Sequence, residues 1–234
     1  MRTNFASTVL VLGLAACGGS NLDPGAGNDP GTGTGTLAIE GSVHASSRLV
    51  NARTSAEFDT EITVRVSLNT QTVTTGTVTI TSSTGKVPLS YGPDNRWTAR
   101  APTYDEVYIL DIESGPDKVT GVRVDGPDIH VFSAPTAGAT VDSTMPLMIQ
   151  WDREDQADTA ALRAENVDSL SIPDTGSYSL AAGSLKAADH EARQNTLRLT
   201  RTNRVVPAGT SGGSTWNVTI ENEIDVVAMP LLPL

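Results

Sequence analysis

An all-β chain built as two antiparallel β-sandwich domains in tandem is the fold that the sequence predicts, and three observations predict it. Apolar and polar residues alternate over short runs from Leu37 onward, as in EITVRVSL, where Ile62, Val64, Val66 and Leu68 fall on one face of a strand. Gly, Pro, Asn and Asp punctuate these runs at turn spacing, in STGK, YGPDN and ESGPDK. The 234 residues have room for one large domain or two small ones, and small all-β modules favour two.

The first element is a leader. Met1 to Cys17 holds a charged start with Arg2, an apolar run VLVLGLAA from Val9 to Ala16, and then the chain's single cysteine. The run is too short for a membrane span, which needs about 20 apolar residues, but it has the plan of a secretory signal. LAAC, Leu14 to Cys17, resembles the lipobox of bacterial lipoproteins. The resemblance implies a signal peptide over residues 1–16, cleavage before Cys17, and covalent diacylglycerol and N-acyl lipid on Cys17. Small side chains at Ala15 and Ala16 let an extended chain enter a peptidase cleft, and a thiolate is a good nucleophile for the thioether. Two or three acyl chains anchor a protein stably where one does not. With Gly18 rather than Asp after the cysteine, the same resemblance implies an outer-membrane address in the cell envelope. A lone cysteine leaves no internal disulfide. The formal charge of -11, or -12 once Arg2 is left out, excludes attraction to nucleic acid or to an anionic membrane surface. The expected membrane contact is therefore the lipid alone.

From Gly18 to Thr36 there is hardly an apolar side chain apart from Leu22. Such a composition does not offset its ordering entropy, so residues 17–36 are expected to form a disordered tether. Its 19 residues beyond the cysteine would reach roughly 25 Å as a coil.

The first sandwich is expected over 37–126. Leu37, Ile39 and Val43 open it, the Ile62 strand follows, and Val78 and Ile80 mark the next; KVPLSY, RWTARA, EVYILDI and VTGVRVD complete the set. VDGPD, Val124 to Asp128, is the boundary, because Gly-Pro between acids ends one strand and starts another.

The second sandwich is expected over 127–234. Its strands are IHVFSAP, TAGATV, MPLMIQW with Leu147, Ile149 and Trp151 on one face, Thr159 to Ala164, Val167 to Ile172, Tyr178 to Leu180, Leu197 to Thr200 and Trp216 to Val227. EDQADTAALRAEN, Glu154 to Asn166, also suits a short surface helix, with alanines inside and acids at its start. APTAGATVDSTMPLMIQW resembles the opening of bacterial immunoglobulin-like or fibronectin-type modules, two strands around a turn ending in a core Trp. DTGSYSL, Asp174 to Leu180, is similar to the immunoglobulin signature Asp-x-Gly-x-Tyr-x-Cys, with Leu180 in place of the cysteine; the likeness implies a tyrosine corner at Tyr178. More than fifty residues follow, where a plain immunoglobulin domain leaves room for about one more hairpin.

The motifs that could carry chemistry lack their context. GTSGG, Gly209 to Gly213, matches the nucleophile elbow, but Pro207 precedes it, the strand-like STWNVTI follows and no histidine lies beyond His190. His44, His130 and His190 are far apart, with no second ligand at helix or strand spacing. No catalytic residue and no metal are assigned. If calcium bound, Asp152, Glu154, Asp155 and Asp158 after the Trp151 strand would supply its oxygens, although Arg153 interrupts their charge and there is no EF-hand spacing. ENEID, Glu221 to Asp225, reads as charge that guards a late or edge strand. Trp97, Trp151 and Trp216 lie in alternating strands where a core role is the default, though exposed indoles would make a sugar-stacking platform. Asn217-Val218-Thr219 matches a glycosylation sequon, which a bacterial lipoprotein gives no reason to use.

The expectation is therefore a non-enzymatic envelope lipoprotein, its sandwiches presented to a protein partner. The alternative is a surface carbohydrate-binding module with a glycan partner. Apart from lipid on Cys17, no cofactor is implied.

Overall fold

The computed structural model describes residues 22–187 and 191–229. These form strands joined by turns, with a single 3-10 turn at Ser55–Glu57 and no α-helix among the described residues. The first half contributes β1 (Thr32–Gly33), β2 (Leu37–Ser47), β3 (Phe58–Leu68), β4 (Gln71–Thr72), β5 (Thr77–Ser82), β6 (Gly85–Pro88), β7 (Ser90–Tyr91), β8 (Trp97–Ala101), β9 (Val107–Ser114) and β10 (Asp117–Asp125). The second half contributes β11 (Val131–Ala134), β12 (Thr140–Asp142), β13 (Leu147–Asp152), β14 (Thr159–Ala164), β15 (Val167–Ile172), β16 (Ser177–Leu180), β17 (Arg193–Val205) and β18 (Thr215–Met229). Over Glu154 to Asn166 the strand prevails, because Ala160, Leu162 and Ala164 are buried at a period of two, which a helix does not bury on one face.

Both halves follow one plan. In the first, β2, β3 and β8 form one sheet, and β6, β5, β9 and β10 form the other. In the second, β11, β13 and β16 face β15, β14, β17 and β18. Of seven principal strands, the first, second and fifth thus lie opposite the third, fourth, sixth and seventh in each sandwich. This is an immunoglobulin-type arrangement. Each sandwich has its own apolar core. Phe58, Tyr104, Leu110 and Trp97 lie in the first; Phe132, Ile149, Trp151, Leu162 and Leu197 lie in the second.

The two sandwiches are joined through a sheet. The β17–β18 hairpin stays in register from Arg193↔Ala228 to Val205↔Trp216, far longer than its own core requires. Its outer stretch reaches the first sandwich, where β18 pairs in parallel with β2 from Thr215↔Glu40 to Glu221↔Ser46. Further along, β12 takes the same edge of β18, from Thr140↔Val227 to Asp142↔Met229. One ten-stranded sheet therefore runs through both domains.

Strand β18 shows how the sequence builds this. Every second residue is buried. Trp216, Val218 and Ile220 enter the first core, while Ile224, Val226 and Ala228 enter the second. Asn222 lies between them, wholly buried, donating to Ala52 O and His130 O and accepting from the Ala52 amide. Opposite Trp216 in β2 is Gly41, where a Cβ would come within 2.6 Å of the indole, so a glycine inside this strand makes room for the ring.

Three expectations change. DTGSYSL supplies β16, the fifth strand rather than the sixth that carries a tyrosine corner, and Tyr178 pairs opposite Ile149 and is half-buried. The fifty residues that follow are largely the long hairpin. ENEID lies mid-sheet rather than on an edge, its acids meeting β17: Arg198 Nε is 2.7 Å from Glu223 Oε2, and Thr196 donates to Asp225 at 2.8 Å.

The expected tether is docked from Asp23 onward. Asp29 bridges to Arg123, the Arg123 guanidinium donates to Asp23 O and Gly27 O, and β1 pairs with β10. The Gly35 amide then donates to Gly209 O at 2.6 Å. Glycine permits this approach. A Cβ on Gly31 would collide with the Thr120 carbonyl, and one on Gly33 with the Gly209 carbonyl.

Candidate functional site

Where the two cores meet, a buried polar layer replaces apolar packing. Arg201 occupies an inward position of β17, in series with Leu197 and Leu199, and its side chain is fully buried. Its Nε donates to Asp174 Oδ2 at 3.0 Å, Nη1 to Asp128 O at 2.8 Å and Nη2 to Asp128 Oδ1 at 3.1 Å, and Nη2 also meets Asp155 O. Asp174 further accepts from Trp151 Nε1 at 3.0 Å and the Ala157 amide at 2.7 Å. Asp128 accepts from the amides of Glu154 and Asp155. Burial alone would raise the Asp128 carboxyl, but the Glu154 amide and the Arg201 guanidinium outweigh it and hold its pKa below the ordinary value.

His130 completes the layer. Its Nε2 lies 3.0 Å from Leu199 O, so this nitrogen carries the proton, and the buried Nδ1 has no partner. Burial first, and Arg201 nearby second, push the imidazole pKa down to about 3, so it stays neutral.

Over this layer opens a cleft of about 150 Å³ between the sandwiches, lined by Pro24, Gly25, Glu106, Asp125, Glu154 and Gln156 among others. Desolvation, and then the neighbouring Asp128, Glu154 and Asp125 charges, raise the Glu106 carboxyl.

The outward side of the long sheet is polar across five strands, β8, β3, β2, β18 and β17. Ser42 and Thr63 share a 3.0 Å hydrogen bond, as do Thr202 and Thr219 at 2.9 Å. Arg65 meets Glu40, and Arg100 meets Glu61, each at 3.4 Å. His44, Asp59, Glu61 and Arg100 help to line a shallow groove of about 500 Å³ there.

The predicted site residues do not converge. Cys17 and His190 lie outside the described residues. His44 is exposed on the outer sheet face and His130 is buried in the junction. Asp152, Glu154, Asp155 and Asp158 have exposed side chains, and among the described residues no three acidic, His or Cys groups form a metal cage. Their loop has another use: its amides bind Asp128 and Asp174, Arg153 lies 3.8 Å from Asp174, and Asp158 accepts the Arg204 amide. GTSGG is the β17–β18 turn, with Gly209 seated against Gly33. Trp97, Trp151 and Trp216 are 7%, 3% and 0% exposed, which bears out the core role expected of them and removes the alternative of a sugar-stacking platform. Sequence reading passed over Arg201, Asp128 and Asp174, and the available signal was an arginine in the inward series Leu197, Leu199, Arg201.

The chain matches no protein-family model and no curated protein. Its likeness to solved structures is faint. One concerns host cell surface retention of a 1.5-MDa bacterial ice-binding adhesin: 12% identity, 82% of this chain and 66% of that one, TM-score 0.24. Dpr11 IG1 bound to DIP-gamma IG+IG2 gives 11% identity, 79% and 97% coverage, TM-score 0.23. The BSP domain of a biofilm associated protein gives 13% identity, 85% of this chain but 30% of that one, TM-score 0.23. This chain thus spans just under two thirds of the adhesin chain and less than a third of the biofilm protein. At these scores the likenesses carry no argument; the immunoglobulin-type assignment rests on strand order.

Proposed function

We propose that this chain is a lipid-anchored, non-enzymatic protein of the bacterial cell envelope that presents its two fused sandwiches to a protein partner. The observation that carries the reading is the outer face of the shared sheet. It is wide and hydrophilic, and the β18 join to both cores holds it as one surface. The buried polar groups beneath it are committed to one another, Arg201 to Asp128 and Asp174, which suits a structural role for them rather than chemistry on a substrate. The LAAC leader supports the anchor at Cys17 and an outer-membrane address.

Two measurements test this. Cys17→Ala is expected to leave an uncleaved precursor and to move the protein out of lipid-modified fractions; processing and membrane retention like the parent chain refute the anchor. Photo-crosslinking residues at His44 and Thr98 on the outer face are expected to capture a protein in intact cells. Adducts from the opposite sheet only, or none from these positions, refute the binding face.

A further inference from the structure

The docked N-terminal segment fixes where an anchor can pull. From Leu37 back to Asp23 the chain does not leave the body at the end where β2 begins. It lies along the β10 edge to the middle of the molecule: the Gly35 amide binds Gly209 O, the Thr34 amide binds Lys118 O, Asp29 pairs with Arg123, Asn28 Nδ2 reaches Arg204 O, and the Gly27 amide reaches Asp125 Oδ2. Pro24 and Gly25 then line the cleft between the sandwiches, beside Gly126 and Gln156. Only six Cα steps separate Asp23 from Cys17, where 20 separate Leu37 from it. At full extension these are about 20 Å and about 70 Å.

We infer that the protein is held by its waist, so that its two-sandwich body lies broadside to the membrane and both ends are at similar height. This rests on the lipid anchor proposed above. The docked segment acts as a strap that takes up most of the expected tether, and it also covers the hydrogen-bonding edge of β10, which would otherwise be open to strand addition. Strap and anchor together give the body an orientation that a free tether of 19 residues would not impose.

The test uses the full acylated chain in phosphatidylcholine vesicles with rhodamine-labelled headgroups. A donor dye is placed on single cysteines at the waist (Gln156→Cys), the far end of the first sandwich (Gln71→Cys) and the far end of the second (Glu165→Cys). Energy transfer is expected to be highest from position 156, and lower and similar from 71 and 165. A steady gradient from 71 to 165, in either direction, overturns the inference. In Gly31→Val/Gly33→Val, where each new Cβ collides with a carbonyl, the strap is expected to release and transfer to fall at all three positions. Faster amide exchange at Thr34 and Gly35 with unchanged protection along β17 and β18 shows that only the strap has moved; unchanged transfer despite that release also overturns the inference. Mass spectrometry of the N-terminal peptide separates the two proposals. A peptide without acyl groups defeats the anchor and this orientation together, whereas an acylated peptide with an end-to-end gradient defeats the orientation alone.

Discussion

Replacing Arg201 with Met tests the junction most directly. Methionine nearly matches the arginine stem and keeps its apolar packing, so the change removes the guanidinium and little else. Four hydrogen bonds disappear, and two carboxylates, only 9% and 1% exposed at Asp128 and Asp174, lose the Arg201 guanidinium, Asp174 keeping Arg153 at 3.8 Å. Breaking a buried ion pair from one side costs about 3 to 5 kcal/mol. Asp174 keeps the Trp151 indole and the Ala157 amide, and Asp128 keeps two amides, so the lower end, about 3 kcal/mol, is expected. Urea unfolding at pH 7, followed by fluorescence, measures it. A companion chain carrying Arg201→Met, Asp128→Asn and Asp174→Asn has no stranded carboxylate, but each carboxamide turns its NH2 toward an N–H that the carboxylate accepted, so it is expected to regain only part of the loss. A loss below about 1 kcal/mol in the single variant, the scale of an exposed pair, would mean that water reaches the junction and would refute the buried layer.

Acid is expected to weaken the same layer. His130 has a folded pKa of about 3 against the ordinary histidine value of 6.5, so below pH 6.5 the unfolded chain takes up the proton first. Stability then falls until the folded pKa is reached, by about 3 kcal/mol between pH 7 and pH 4. The lowered Asp128 carboxyl acts in the same direction, losing its contribution as it protonates, while the raised Glu106 carboxyl is relieved by acid and acts against it. Urea midpoints at the two pH values check this, with His130→Phe expected to flatten the slope; an equal slope in both chains contradicts it. The tryptophans offer a simpler check: iodide is expected to quench native fluorescence weakly, in keeping with exposures of 7% or less, and quenching near that of the unfolded chain contradicts the buried indoles.

Much of the strand pattern was legible because a period of two states which residues turn inward. The same period does not state what they turn against. In β18 the alternation from Trp216 to Ala228 is unbroken, yet three of its apolar residues belong to one core and three to the other. The break between them is marked only by Asn222, a polar residue at an inward position. Arg201 marks the corresponding place on β17, two residues beyond Leu199. Asp128 and Asp174 lie 73 and 27 residues from Arg201, so no local motif joins them.

Composition misled in the Gly-Thr tract for a physical reason. Glycine raises the entropy of a free chain, and the same missing Cβ lets backbone approach backbone; Gly33 against Gly209 uses the second property, whereas composition alone speaks only for the first. DTGSYSL misled differently, since Asp174 is buried to bind Arg201, Trp151 and the Ala157 amide rather than to mark a tyrosine corner.

These features share one mechanical consequence. Domains joined in tandem by a short linker swivel unless the interface between them is large and apolar. Here the interface is polar at its centre, but the β17–β18 hairpin passes through it without a break in register. To bend the molecule at its waist, the β18–β2 ladder must open, or Trp216, Val218 and Ile220 must leave the first core while Ile224, Val226 and Ala228 stay in the second. Each of the larger apolar side chains is worth about 1.5 to 3 kcal/mol when buried, so withdrawal of three from one core is comparable with the whole stability of a domain. The polar layer adds direction, because Asn222 and Arg201 accept only the geometry in which Ala52, His130, Asp128 and Asp174 face them. Rigidity therefore comes from the continuous strand and angular precision from the polar junction, and together they keep the outer sheet face a single surface.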